Sequence, residues 1–306
     1  SSGASSGGTQ VRSSSSGGAV SGSSSSAVCE EGTIKYLTLS GVRVYYVCKG
    51  NAWVAVPVSS SSAVAVSSSS AASSSSHYNM DSTFNSELSY GEFTDPRDGQ
   101  KYRTIVMNPG NLFEYEIFAE NLNYGRQIAG SAGQTDSTKY CYGDDPWYCA
   151  HHFGGLYRWS TAMDFPAACD SVKTGSSSAC PDSIVPPTGF AAPYSHVLHQ
   201  GICPDGWHVM NQSEWGNILG GGAWKIESEA GWNDNYNNTL GFSALPGGVG
   251  YGTYAGLGTD AMFWLPQETF ASGARGVNLR AQSYDFVSYW GVKSTAFSVR
   301  CVKDHE

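Results

Sequence analysis

The residues best equipped for chemistry in this chain are oxygen donors, histidines and aromatic rings. Asn233, Asp234, Asn235, Asn237 and Asn238 crowd one loop with hard oxygens of the kind that Ca²⁺ takes. Asn233 and Asp234 are therefore candidate metal ligands, with calcium as the candidate ion and a solvated Asn-rich turn as the alternative. A histidine site is less well supported. His151-His152 would point to opposite faces of a strand, and His196 and His199 would need a helix that Ala192-Pro-Tyr-Ser does little to announce. Glycan hydrolysis needs two carboxylates about 5–9.5 Å apart. Asp144/Asp145, Glu227/Glu229 and Asp260/Glu268 are such pairs in sequence, but any acidic chain of this length contains some. No nucleophile elbow, zinc-protease helix or phosphate loop is present, and the Gly clusters at 220–222 and 247–250 lack a strand–turn–helix context. The chain reads as a non-enzyme with no cofactor beyond the candidate calcium.

Aromatic recognition is the strongest chemical option. Nine Trp and eighteen Tyr offer rigid faces on which the C–H face of a sugar can stack. Trp159, Trp207 and Trp215 sit in helix or strand-end patterns and read as core. Trp147, Trp224, Tyr236 and Tyr284 lie in Gly- or Asn-rich loops, as do the six residues expected to bind ligand: Trp232, Tyr251, Tyr254, Trp264, Tyr289 and Trp290. Packing beneath long loops is the competing use of each.

These groups must be held by a scaffold, and the cysteines describe its staples. Eight cysteines without a Cys-x-x-Cys knuckle read as disulfides made in an oxidising compartment rather than as zinc ligands. Sequence neighbours suggest Cys29–Cys48, Cys141–Cys149 and Cys169–Cys180, which leaves Cys203–Cys301 as a long-range bridge.

The chain has 306 residues and a formal net charge of −9. Residues 1–90 carry no net charge, so the acidity lies in 91–306. Such a balance lacks the basic footprint of nucleic-acid binding, and no apolar run approaches a transmembrane span. The chain starts at Ser1 without a signal peptide, an absence read as processing or truncation rather than a cytosolic address. Residues 1–28 and 59–90 are expected to be Ser-rich flexible linkers, because such segments have too little apolar surface to offset ordering. Between them, residues 29–58 read as a small β module, with Ser40-Gly41 as a two-residue hairpin turn. Residues 91–306 read as one α+β domain. Lys101–Met107 alternates like a strand, Gly155–Met163 and Asn211–Leu219 read as two short helices, and Ala296–Val302 reads as the closing strand. Asn211 and Glu214 have the spacing of a capping box.

The motifs Asp98-Gly-Gln-Lys-Tyr-Arg-Thr104, Gly155-Leu-Tyr-Arg-Trp159, Cys203-Pro-Asp-Gly-Trp-His208, Gly241-Phe-Ser-Ala-Leu-Pro-Gly-Gly248 and Phe297-Ser-Val-Arg-Cys-Val-Lys-Asp304 occur in order. Together they resemble the Fibrobacter succinogenes major paralogous domain family over about residues 91–304. The resemblance implies a secreted or surface-attached bacterial protein with no catalytic activity to carry over, from a family linked with attachment to plant cell-wall polysaccharide. It also implies a C-type-lectin-like domain, distantly similar to formylglycine-generating-enzyme-like folds, with a small antiparallel sheet and long loops. That topology would pair 101–107 with 296–302 and suit a Cys203–Cys301 bridge. Trp232-Asn-Asp234 is similar to the calcium motif of sugar-binding C-type lectins, but there a cysteine follows closely, whereas here Cys301 lies far downstream. His208-Val-Met-Asn211 and Phe263-Trp-Leu-Pro266 depart from the family pattern.

The expected function is a secreted or outer-surface, non-catalytic adhesion or carbohydrate-binding protein, with a polysaccharide such as cellulose or xylan as partner rather than nucleic acid. The alternative is a structural subunit that binds other surface proteins in a filament or scaffold. A glycan-active enzyme is the third reading.

Overall fold

The computed structural model describes residues 34–39, 42–49, 52–55, 77–110, 114–184, 197–219, 225–232, 237–281 and 287–305. The chain divides into two compact units, Ser1–Ser73 and Ser74–Glu306. In the first, strands β1 (Ile34–Leu39), β2 (Val42–Lys49) and β3 (Ala52–Ala55) form an antiparallel meander. Leu39 pairs with Val42, the register that a two-residue turn requires. Cys29 and the expected linkers 1–28 and 59–76 lie outside the described residues. Residues 77–90, expected to be linker, instead pack into the second unit. Thr83 is buried there, and its carbonyl accepts from Ser228 and Asn238 side chains at 3.0 and 3.4 Å. The aromatic rings of Tyr78, Phe84 and Tyr90 supply the apolar surface that a Ser tract lacks.

The second unit is a mixed α+β structure, mostly strands. Its first sheet has the order β10 (Trp207–Val209), β17 (Cys301–Lys303), β6 (Tyr115–Phe118), β5 (Lys101–Met107) and β4 (Gly91–Thr94), all antiparallel. The second has the order β15 (Val287–Val292), β14 (Gly273–Arg280), β13 (Asp260–Phe270), β11 (Gly247–Gly250), β16 (Ala296–Phe297) and β9 (Tyr157–Arg158), with β12 (Tyr254–Leu257) paired to β11. A small parallel pair, β7 (Arg126–Gln127) and β8 (Thr138–Lys139), flanks them in sequence. Helices are short: α1 (Pro146–Tyr148), α2 (Trp159–Ala162) and α3 (Gln212–Leu219).

Two expectations about the closing strand need correction. Residues 101–107 do not pair with 296–302, because β6 lies between β5 and β17. The expected strand 296–302 is also two strands in different sheets, joined by Ser298–Arg300 as the chain crosses over. The side-chain alternation that reads as one strand persists through the crossing, because two cores alternate along it.

Those cores explain the sequence pattern. One gathers Tyr102, Phe118, Trp159, Trp207, Trp264 and Phe297 around Cys169, Cys180, Cys203 and Cys301. The other holds Ile105, Ile117, Trp215, Phe242, Phe263 and Val302. Neighbours on one strand therefore fall into different cores, as Ile117 and Phe118 do, and so both faces of the strand are buried. Arg300, also buried, ties the layers together: it donates to the carbonyls of Phe118 and Phe242 at 2.8 and 2.6 Å and to Asn121 Oδ1 at 2.7 Å. Burial lowers its pKa to about 9.

Disulfides join Cys141–Cys149 and Cys169–Cys180, as sequence neighbours, and Cys203–Cys301, the expected long-range bridge. Beside the second, Lys293 is wholly buried. It meets Glu268 at 2.5 Å and donates to the Cys169 carbonyl at 2.9 Å, while Glu268 accepts from the Thr174 amide and hydroxyl. No helix among the described residues is long and apolar enough to cross a membrane.

Candidate functional site

The Cys141–Cys149 bridge closes a loop of eight residues' separation, and that loop carries three aromatic rings, Tyr142, Trp147 and Tyr148. Asp145 caps α1 by accepting the Trp147 amide at 2.8 Å, and Pro146 occupies the first helical position, where its missing N–H is harmless. This cap fixes Trp147. His77 stacks on Trp147 at 4.1 Å and 12°, and His151 stacks on it at 4.2 Å and 14°. The histidines are held in turn: His77 Nε2 donates to Asp145 Oδ2 at 3.0 Å, and His151 Nδ1 donates to the Trp147 carbonyl at 2.8 Å. Hydrogen bonding to His77 and to the Trp147 amide lowers the Asp145 pKa, so this carboxylate stays charged.

The aromatic surface continues through Tyr148, edge-on to both Trp147 and Tyr142, to Tyr254 on β12, 5.2 Å from Tyr142. All of these rings are half-buried. Tyr254 donates to Asp144 Oδ1 at 2.7 Å, and the same oxygen accepts the Gly130 amide at 2.7 Å. Burial, then the Asp144 bond and charge, raises the Tyr254 pKa, which keeps the phenol a donor. A Cβ at Gly130 would lie 2.5 Å from the Tyr254 hydroxyl, so any larger residue there would displace the phenol from Asp144. Asp144 itself adopts φ 59°, a left-handed conformation that costs a non-glycine residue energy and is held by these bonds. With His77 and His151 stacked on Trp147, the outer imidazole faces and the phenol rings are what this surface can offer a sugar, with the Asp144 and Asp145 carboxylates beside them as acceptors.

The structure distributes the six expected ligand-binding residues unevenly. Tyr254 lies in this surface, and Tyr251, 63% exposed, stands at the β11–β12 turn beside it in sequence. Trp264 and Trp232 are corrections, for both are buried rather than presented to a ligand. Trp264 is 1% exposed, stacks on Phe297 at 4.1 Å and donates to the Tyr157 carbonyl at 2.8 Å. Gly291 makes room for it, since a Cβ there would lie 2.9 Å from the Trp264 ring. Trp232 is 7% exposed and donates to the Ala244 carbonyl. Tyr289 and Trp290 lie on β15 opposite Gly276 and Arg275, with their side chains outside what the structure describes. Asn233 and Asp234 also lie outside the described residues. Among the described residues no group of three or more His, Cys, Asp or Glu could hold a metal ion. His151 and His152 part company, the latter meeting Glu120 at 2.7 Å.

Sequence reasoning missed His77, Tyr142 and Tyr148. Tyr142 and Tyr148 lie within a short disulfide loop beside Trp147, and that clustering was the available signal. His77 sits directly after a Ser tract, and nothing local connects it to Trp147.

Comparison with protein families matches residues 118–303 to the Fibrobacter succinogenes major domain. The chain belongs to this family. No curated protein and no solved structure matches it. The match to the Fibrobacter succinogenes major domain begins inside β6, so β4 and β5 extend the domain's first sheet beyond the matched region. Within it fall Tyr142, Trp147, Tyr148 and Tyr254, whereas His77, which completes the stack on Trp147, lies outside. The three disulfides are consistent with an extracytoplasmic member of this bacterial family.

Proposed function

We propose that this Fibrobacter succinogenes major domain protein is a non-catalytic, secreted or surface-displayed carbohydrate-binding or adhesion protein, acting on plant cell-wall polysaccharide. The observation that carries this reading is the half-buried aromatic surface from His77 and Trp147 through Tyr148 and Tyr142 to Tyr254, edged by Asp144 and Asp145. Rigid rings held by a disulfide and a helix cap lose little entropy on binding a flat sugar chain. Carboxylates elsewhere favour binding over hydrolysis: Glu268 is occupied by Lys293 and Thr174, and Asp260 by Thr259, Asn278 and Arg280. The C-type-lectin-like assignment of the fold belongs to this proposal too, supported by a late strand, β17, that returns to pair with the early strand β6.

Co-sedimentation of the oxidised chain with insoluble cellulose and xylan, with and without EDTA, tests the reading. Trp147→Ala, which removes the ring on which both histidines stack, is expected to lower the bound fraction about tenfold, in line with the ~0.5–1.5 kcal/mol of each aromatic pair it holds, while its disulfides still form. Binding that survives Trp147→Ala and Tyr254→Ala together would remove the aromatic surface from the account. Absence of binding to every polysaccharide, with self-association instead, would favour a structural subunit.

A further inference from the structure

A cleft of about 380 Å³, lined by none of the aromatic surface's residues, lies between the 77–90 segment and the sheet. That places it at the small end of the ~300–1,000 Å³ range of ligand sites. Its lining includes Phe84, Asn85, Tyr90, Arg103, His152 and Asp81. Arg103, on β5, lays its guanidinium over Phe84 at 4.2 Å and within 5.8 Å of Tyr90. Phe84 is in turn fixed by edge contacts with Tyr90 at 5.5 Å and His152 at 5.0 Å. Stacking holds the guanidinium plane but uses none of its N–H donors, which lie at the rim of that plane.

Among the described residues those donors have no protein acceptor. Neighbouring cations are paired, Arg97 with Asp95 and Lys101 with Glu92. The buried carboxylate below the cleft, Glu120, is already committed: one oxygen accepts the Arg103 backbone amide at 2.7 Å and the other meets His152 Nδ1 at 2.7 Å. His152 is held at φ 70° in doing so, a strained conformation for a side-chain-bearing residue. The cleft thus presents a pre-oriented guanidinium fork between aromatic faces, with the Asn85 amide and the Asp81 carboxylate as further polar groups. A planar carboxylate fits the fork bidentately. Asp81 tolerates a monoanion better than a multiply charged phosphate, and the rings suit an apolar sugar face.

We infer that this cleft binds the carboxylate of a uronic-acid residue, making the protein a reader of acidic cell-wall polysaccharide. The inference rests on the carbohydrate-binding reading above but on different residues.

Calorimetric titration of the full oxidised chain with an oligogalacturonate, and with its methyl-esterified counterpart of equal length, tests it. The free acid should bind and the neutral ester should bind about tenfold or more weakly. Arg103→Gln should abolish that preference, and Arg103→Lys should weaken it, because an ammonium keeps the charge and loses the fork. Cellulose co-sedimentation should be unchanged in both variants, which also shows that they are folded. Equal affinity for acid and ester, no binding of either, or a preference that survives Arg103→Gln would overturn the inference. So would tighter binding of an acidic peptide than of the oligogalacturonate. Loss of cellulose binding in Trp147→Ala with the acid preference intact would separate the two sites.

Discussion

Glu227 is the least expected single residue in the molecule. It is completely buried, and among the described residues neither carboxylate oxygen has a hydrogen-bond partner. Burial alone raises its pKa from 4.5 to about 8, so the folded protein holds it as a neutral acid at pH 7. The unfolded chain releases that proton near pH 4.5, and the sign of the linkage follows. This residue's contribution to stability is greatest below that pH, falls as pH rises toward about 8, and then levels off. At 1.36 kcal/mol per unit, the loss by pH 7 is on the order of 3 kcal/mol. Glu227→Gln, uncharged at every pH, should flatten this decline, and thermal melts of both proteins from pH 5 to 8 would show it. Parallel curves would mean that the carboxyl finds a partner in solution. Nothing in the sequence marked this residue, since Glu227 and Glu229 look like any acidic pair on a solvated turn. Trp264 was misplaced for a related reason. Its surroundings look like loop because glycines flank the region, yet Met262-Phe-Trp-Leu265 is a continuous apolar run. Such a run signals a strand buried on both faces.

At the scale of elements, the start of α3 was fully legible because a helix cap is local chemistry. Asn211 Oδ1 accepts the amides of Ser213 and Glu214, and Glu214 Oε2 accepts the Asn211 amide at 2.8 Å. What the sequence did not disclose is the use of the other Glu214 oxygen. It meets His208 Nε2 at 2.8 Å, while His208 Nδ1 meets Asp304 Oδ1 at 2.6 Å, so one imidazolium clasps β10, α3 and the residue following β17. Burial lowers the His208 pKa, but the bonds and charges of Glu214 and Asp304 outweigh it and the net shift is upward. The clasp therefore contributes fully below the unfolded value of 6.5 and is lost as pH rises through the higher folded one. Asn211→Ala should cost about 1 kcal/mol at any pH. Glu214→Gln should cost roughly 3 kcal/mol at pH 6, by leaving half of a buried ion pair, and less at pH 9. Denaturant melts at the two pH values separate these outcomes. Long-range partners such as Asp304, and likewise His77 on Trp147 or Phe84 under Arg103, meet only through the fold, and no local pattern announces them.

For the whole molecule, two cores sharing the same strands make the family motifs hard to tell apart by role. The Phe297–Asp304 motif alone supplies a stacking partner for Trp264, the buried Arg300, a disulfide and the His208 clasp. The Cys203–Cys301 bridge spans 98 residues, and a closed loop of that size is worth about 4–5 kcal/mol in the chain-entropy model. Its consequence is also mechanical. When the chain is pulled by its ends, tension passes across the sulfur–sulfur bond and bypasses β10, α3 and β11 to β16. At roughly 3.3–3.6 Å per residue, about 330 Å of contour stays hidden from the load. Single-molecule stretching of the oxidised chain should release that length only after a reductant is added. Cys203→Ser with Cys301→Ser should release it at once, so that the bridge sets how far this molecule can yield before its folded part lets go.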